Sequence, residues 1–226
     1  MASELELKLA ATPEKLNEIK ELDFPGISSQ SPWQTKYLSN TYFDNSLYKL
    51  RELGIGMRIR AVEDKLIQCV KSSGKAIGGL HQRNEDEIEL ETNQLDIENI
   101  QEPYLQILVE EALDEGGELT PRFETNFDRT SSILTFTDGT KIEIALDLGN
   151  ISADDNSLEI CEVELELVEG SADYLFALGR YLIKELHLKL ANASKARRGY
   201  SLCKDFNPRQ KVMQVTIDAI KENVNC

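Results

Sequence analysis

The chain has 226 residues, 41% hydrophobic and 29% charged, with 25 Lys and Arg against 40 Asp and Glu and a formal net charge of −15. This composition supports one substantial packed domain and excludes global disorder. It argues against non-specific nucleic-acid binding and an anionic membrane partner, and no apolar run approaches the roughly 20 residues of a membrane span.

The N-terminus, MASELELKLA, has neither the basic nor the apolar region of a signal peptide. Cys69, Cys161, Cys203 and Cys226 are widely spaced without a CxxC pair, which reads as reduced thiols in a cytoplasmic protein. Residues 3–10 alternate charged and apolar. Thr12-Pro13-Glu14 reads as an N-cap, a proline at the first helical position and an acidic first turn, opening a helix to about Leu22. Residues 25–32 read as a loop and 33–43 as extended. Asp44 or Asn45 caps a short helix ending before Gly54. IGMRIRAV (55–62) and KLIQCVK (65–71) form a hairpin about Glu63-Asp64, with Val62 opposite Lys65, Arg60 opposite Ile67 and Arg58 opposite Cys69. Residues 72–82 read as a loop, 83–91 as a strand and 102–114 as a helix. Strands follow at 121–129 and 131–137, then Asp138-Gly139 turns into a strand over 140–147. Residues 151–157 read as a loop, 160–167 as a strand, 171–186 as a helix and 194–202 as a short helical segment. The tail 208–226 carries Val212, Val215, Ala219 and Ile220 near helical spacing. YLSNTYFD (37–44) and RFETNFDR (122–129) echo each other weakly. The class is α+β, dominated by antiparallel strands.

Three segments, ELELKL, EDEIEL and EVELEL, share one pattern. Glu, Leu and Lys favour helix locally, but strict period-2 alternation repeated in three short copies specifies strands. Successive side chains then point to opposite faces. Glu4, Glu6 and Lys8 share one face; so do Arg83, Glu85, Glu87 and Glu89, then Glu143 and Asp147, then Glu162, Glu164 and Glu166. Such rows are either the solvated face of a half-buried sheet or a surface built to meet cations. Arg58, Arg60, Lys71 and Arg129 follow the same alternation, and Arg and Lys match phosphate oxygens. Acidic and basic rows on one face suggest a charge-lined barrel with its apolar face turned outward against the helices.

The motifs ELELK, MRIR (57–60), CVKSSG (69–74), HQRNEDEIEL (81–90), NFDR (126–129), KIEIALD (141–147), ICEVELEL (160–167) and SKARRGY (194–200) occur in the order of the CYTH superfamily, the triphosphate tunnel metalloenzymes. The resemblance spans about residues 3–203. GGLHQR, IEIALD and SKARRGY resemble the bacterial inorganic triphosphatase branch, whose members often carry a following helical CHAD domain that is not expected within these 226 residues. The resemblance implies an eight-stranded antiparallel tunnel over residues 1–205, with 206–226 as a helical tail packed on it. It implies two Mg²⁺ or Mn²⁺ ions held by Glu4, Glu6, Glu162 and Glu164. Phosphates would be held by Lys8, Arg58, Arg60, Lys71, Arg83, Arg129, Lys195 and Arg198, the register at Arg197 and Arg198 being open. Glu85, Glu87, Glu143 and Asp147 would ligate metal or orient the basic residues. Glu4, Glu6, Lys8 and Lys71 are the expected catalytic set, acting on inorganic triphosphate to give pyrophosphate and phosphate in a cytoplasmic monomer or homodimer.

The rivals are a class IV adenylyl cyclase or a thiamine triphosphatase of the same superfamily, a non-catalytic polyphosphate-binding module, and an acidic interaction domain. A thiamine enzyme needs an aromatic platform, and Trp33 is the only tryptophan. His81 adjoins a tunnel strand and His187 reads as structural; neither belongs to a Ser/His/Asp pattern.

Overall fold

A computed structural model describes residues 3–72, 75–77 and 80–206, and gives only the backbone of residues 3, 75–77 and 81–84. The tail expected over 208–226 lies outside the described residues. β1 (Ser3–Ala10) is followed by α1 (Pro13–Lys20), whose first turn is capped by the Thr12 hydroxyl accepting from the Lys15 N–H. Then come β2 (Ile27–Gln30), β3 (Gln34–Asp44), α2 (Lys49–Glu52), β4 (Ile55–Val62), β5 (Lys65–Ser72), β6 (Lys75–Ile77) and β7 (Leu80–Leu90). After α3 (Pro103–Gly116), the long strands β8 (Thr120–Phe136), β9 (Lys141–Ala153) and β10 (Asn156–Glu169) precede α4 (Ala172–Leu186), β11 (Lys189–Leu190) and α5 (Lys195–Tyr200).

Eight strands pair antiparallel in the order β1-β10-β9-β8-β3-β4-β5-β7, and β7 pairs back onto β1 from Ser3↔Asn84 to Leu7↔Leu80. That last pairing joins the ends of the run, so the eight strands enclose an interior. β2, β6 and β11 are short additions at the rims, so the sheet has eleven strands among the described residues where eight were expected. The hairpin of β4 and β5 has the expected register, with Arg58↔Cys69, Arg60↔Ile67 and Val62↔Lys65.

Four local expectations are corrected. Residues 120–136 form one strand, not two, because Thr130 and Ser131 keep pairing with β3 on one side and β9 on the other. The loop expected over 151–157 shrinks to Asp154-Asp155: Ala153 pairs with Asn156, and Asp154 takes φ 52°, a left-handed conformation that Asp tolerates. Within the loop expected over 25–32, β2 pairs with β8. β7 begins at Leu80, because residues 80–84 pair with β1.

The apolar face points outward, as the alternation requires. Leu7, Leu9, Val163, Leu165, Ile142 and Ile144 pack against Leu16 and Ile19 of α1 and Leu175, Leu178 and Leu182 of α4. Gly179 lets α4 approach: a Cβ there would lie 2.2 Å from Leu7 Cδ2. Met57, Ile55 and Val70 pack under Leu105, Val109 and Ala112 of α3. Each fully buried aliphatic side chain contributes about 1.5–3 kcal/mol, so these outer layers hold the ring closed while its inner face stays polar. Trp33 joins the cluster beneath α1 and α4. Among the described residues no helix is long and apolar enough to cross a membrane.

Candidate active site

The ring encloses a cavity of about 910 Å³ lined, among the described residues, by nine Lys or Arg side chains and seven Glu. Inside a chain of net charge −15, that local excess of cations answers the objection that the acidic composition raises against an anionic ligand.

Strand parity brings the groups together. Lys8 of β1 lies opposite Glu164 of β10, and Glu162 lies opposite Asp147 of β9, itself opposite Arg129 of β8. Arg129 donates to both carboxylate oxygens of Asp147 at 2.8 and 2.7 Å and to Glu164 at 2.5 Å. Lys195, carried in by α5, donates to Asp147 at 2.6 Å, to Glu164 at 2.9 Å and to Glu162. Lys8 reaches Glu6 at 3.1 Å and also Glu164. Burial alone would raise the Glu164 and Asp147 carboxyls. The surrounding cations outweigh it, holding Glu164 well below its ordinary range through Lys195, Lys8 and Arg129, and Asp147 low through Arg129 and Lys195. Ligand atoms of Asp147, Glu162 and Glu164 lie within 4.8 Å of one another.

On the opposite wall Lys71 donates to Glu4 at 3.0 Å and pairs with Glu85 at 2.8 Å, and the Cys69 thiol donates to Glu85 at 3.0 Å. Arg60 Nε donates to Asn40 at 3.0 Å, with Glu87 3.8 Å from its Nη1. Arg58 donates to the Tyr42 hydroxyl at 3.0 Å.

A second acidic group is less neutralised. Glu6, Glu166 and Glu143 are paired in register on three adjacent strands, and all three face the cavity. The Glu166 carboxyl is pushed up to about 7, chiefly by burial and then by the charges of Glu4 and Glu143. Like charges on adjacent strands destabilise a sheet unless a cation lies between them. The donor set, all hard oxygens, fits a divalent ion such as Mg²⁺ or Mn²⁺.

Of the residues expected from sequence, Glu4, Glu6, Lys8, Arg58, Arg60, Lys71, Glu85, Glu87, Arg129, Glu143, Glu164 and Lys195 line the cavity. Asp147 and Glu162 lie just behind it, holding Lys195 and Arg129. Arg198 is placed differently: its guanidinium donates to Glu162 and to the Glu159 carbonyl, while Arg197 lines the cavity. The side chains of Arg83 and His81 lie outside the described residues, although the Arg83 backbone pairs with Glu4. His187 is the left-handed C-cap of α4, a structural position. Sequence reasoning left Glu166, Lys36, Arg51 and Arg197 out of the site. Glu166 was within its reach, sharing strand parity with Glu162 and Glu164; Arg51, on a four-residue helix, carries no periodic signal.

A closed antiparallel ring with charge inside and helices on its apolar exterior is a polar-lined barrel built around a ligand. Residues 2–200 match the CYTH domain family, and the chain belongs to that family. An inorganic triphosphatase from Haemophilus influenzae is 33% identical over 202 residues, covering 89% of this chain and 55% of the relative. The chain thus spans about half the length of that curated relative. Among solved structures, HpAC1 from Hippeastrum, reported with a dominant triphosphatase activity, matches with a TM-score of 0.58 at 21% identity, over 92% of this chain and 99% of that one. PH1819 from Pyrococcus horikoshii matches at 0.54 and 16% identity, over 86% and 97%. These two likenesses support the fold.

Proposed function

We propose that the chain hydrolyses inorganic triphosphate to pyrophosphate and phosphate, with Mg²⁺ or Mn²⁺ as cofactor. The observation that carries this reading is the meeting, in one cavity, of an excess of Lys and Arg with the less neutralised carboxylates Glu143 and Glu166. Membership of the CYTH family and the likeness to an inorganic triphosphatase support it. Glu4, Glu6, Glu143 and Glu166 would hold the metal, with Glu164 as a further donor once Lys8 and Lys195 turn to the substrate. A divalent cation there supplies charge neutralisation on phosphate oxygens and acidifies a bound water.

The protein's own groups do the rest. Arg58, Arg60, Lys71, Arg129 and Lys195 hold the phosphates in line and meet the charge that grows in the transition state. Carboxylate partners keep Arg60, Lys71, Arg129 and Lys195 aimed inward before substrate arrives, and the Tyr42 hydroxyl does so for Arg58. Glu4 and Glu6 are the candidate acceptors for the proton released by the attacking water, and Lys71 and Lys8 pair with them at 3.0 and 3.1 Å. No protein nucleophile is needed.

An inorganic chain is favoured over a thiamine or nucleoside triphosphate by the aromatic residues. Tyr42 stacks on Phe123 at 4.5 Å, and Phe127 lies beneath Lys195 at 4.8 Å and Arg129 at 5.8 Å. Tyr200 is covered by Phe123 and Arg51. Trp33 packs in the core and does not line the cavity. The test is a phosphate-release assay with triphosphate, ATP, thiamine triphosphate and pyrophosphate, each with Mg²⁺ and with Mn²⁺. Turnover of triphosphate at least tenfold above the others is expected; cyclisation of ATP or a preference for thiamine triphosphate would overturn the assignment.

A further inference from the structure

One end of the cavity is built from helices. α2 supplies Arg51, and α5 supplies Lys195 and Arg197, while Tyr200 lines the same space. Glu143 lies toward the other end. It sits near the β8–β9 turn, the end of β8 pairs with the start of β3, and α2 follows the far end of β3. Glu166 pairs with Glu143 and belongs to that end as well.

Asp44, fully buried, ties the helical end together. Its Oδ2 accepts from the Tyr200 hydroxyl at 3.0 Å and from the Arg51 N–H at 3.0 Å, while Oδ1 accepts from the Leu50 N–H at 3.0 Å. The Arg51 guanidinium lies over the Tyr200 ring, 5.6 Å from its centre. Its direction is therefore set from below by an aromatic face and at its backbone by a buried carboxylate.

What distinguishes Arg51 and Arg58 is a buried guanidinium nitrogen left without either a hydrogen-bond partner or a counter-charge; Arg197 also has no carboxylate partner among the described residues, but it is exposed. Lys8, Arg60, Lys71, Arg129 and Lys195 each pair with a carboxylate. Among the described residues, Arg51 and Arg58 have no carboxylate oxygen within 4.0 Å of the guanidinium, and the Nε of each is buried without a hydrogen-bond partner. Arg198 shares the orphaned Nε, but it donates to Glu162 and lies off the cavity. A buried donor without an acceptor is costly, so an anionic oxygen arriving from the cavity is strongly favoured at both positions. A guanidinium fork suits a phosphoryl group.

We infer that Arg51, together with Arg58, binds the phosphoryl group of the substrate that lies farthest from Glu143 and Glu166. Arg51 is then a substrate-binding residue outside the strand motifs, and it reads chain length: a triphosphate reaches it and a pyrophosphate seated at the carboxylate end does not. This inference rests on the triphosphate reading of the cavity.

The experiment is calorimetric titration of the full chain with sodium triphosphate and with pyrophosphate, in EDTA so that metal-dependent turnover stops. Arg51→Gln is expected to weaken triphosphate binding roughly tenfold or more, the loss of one charge-assisted contact, and pyrophosphate binding less than threefold. Arg51→Lys, which keeps the charge without the fork, should fall between parent and Arg51→Gln for triphosphate, and it gives the same comparison if the glutamine variant does not fold. Equal losses for the two ligands, or no loss for triphosphate, overturn the role of Arg51. A parent that binds neither chain overturns the triphosphate reading itself, whereas a parent that binds both and variants that match it sink Arg51 alone.

Discussion

Most of the charged side chains in the cavity hold their places through a partner, and single substitutions test those places separately. Glu4 and Glu6 sit two apart on β1, facing the cavity from a strand whose other face is packed into the core. Glu4→Ala or Glu6→Ala is expected to lower kcat at least about a hundredfold while leaving Tm within a few degrees, because only the polar face changes. A phosphate-release assay beside a thermal melt measures both; full activity in either variant removes the assignment. Arg58→Ala is expected to cost roughly ten- to a hundredfold in kcat/KM, the range of one or two charge-assisted hydrogen bonds. An unchanged kcat/KM would place the Arg58 side chain away from substrate. These residues were legible in the sequence because a strand repeats every two residues, so one anchored motif assigns the whole row. Glu166 belonged to such a row and was passed over for Glu162, which the structure puts behind Lys195. The two arginines of SKARRGY were not separable, since on a short helix adjacent residues diverge by about 100° and no second turn fixes the phase. Arg51 could not be found by pattern: its place depends on the Asp44–Tyr200 contact across 156 residues of chain.

At the scale of elements, α5 is the part whose docking most directly sets the site. Gly199 seats it on β8, where an added Cβ would lie 2.2 Å from Phe123 ring atoms. Phe123 cannot readily yield, because it stacks on Tyr42, whose hydroxyl takes the Arg58 hydrogen bond. Gly199→Ala is therefore expected to push α5 outward, displacing Lys195 and loosening Arg58 together. Overpacking of this kind costs about 1–3 kcal/mol. The variant should melt a few degrees lower and lose at least about tenfold in kcat/KM, measured well below its Tm; a stable variant with parental kinetics would show that α5 does not position the site. The elements that sequence reasoning placed well carry their own local signals. The β4–β5 hairpin has a two-residue turn, and α1 has Thr12-Pro13. The elements misjudged are those decided by pairing partners. β8 runs unbroken through Thr130 because two neighbouring strands satisfy it, and the polar run 151–157 is mostly strand for the same reason. Local polarity resembles a loop whenever the alternate face of a strand is polar too.

The whole molecule separates its charges by face: the chain carries a net charge of −15, yet among the described residues the cavity lining has more Lys and Arg than Glu. That interior gives metal-free stability an unusual dependence on pH. The Glu166 carboxyl, ordinarily near 4.5, is pushed up to about 7 by burial and by Glu4 and Glu143. The folded state therefore keeps a proton that the unfolded chain releases. The stability this contributes is complete below about pH 4.5 and is lost as pH rises through about 7. Asp147 and Glu164 act in the opposite sense: their folded-state values are lowered, so their contribution is present above their ordinary range and is lost on acidification. Glu166→Gln removes the first effect and leaves the second. In EDTA the variant is expected to melt higher than the parent at pH 8 and level with it near pH 4.5. After discounting for solvent screening the difference at pH 8 is on the order of 1 kcal/mol, or about 2–4 °C for a protein of this size. Added Mg²⁺ should then raise the parent's Tm at pH 8 more than the variant's, because the variant lacks a carboxylate proposed to hold the ion. Melting curves across pH 4.5–8, with EDTA and with Mg²⁺, decide it: identical pH profiles in the two proteins would mean that Glu166 does not carry the excess charge at that end of the cavity.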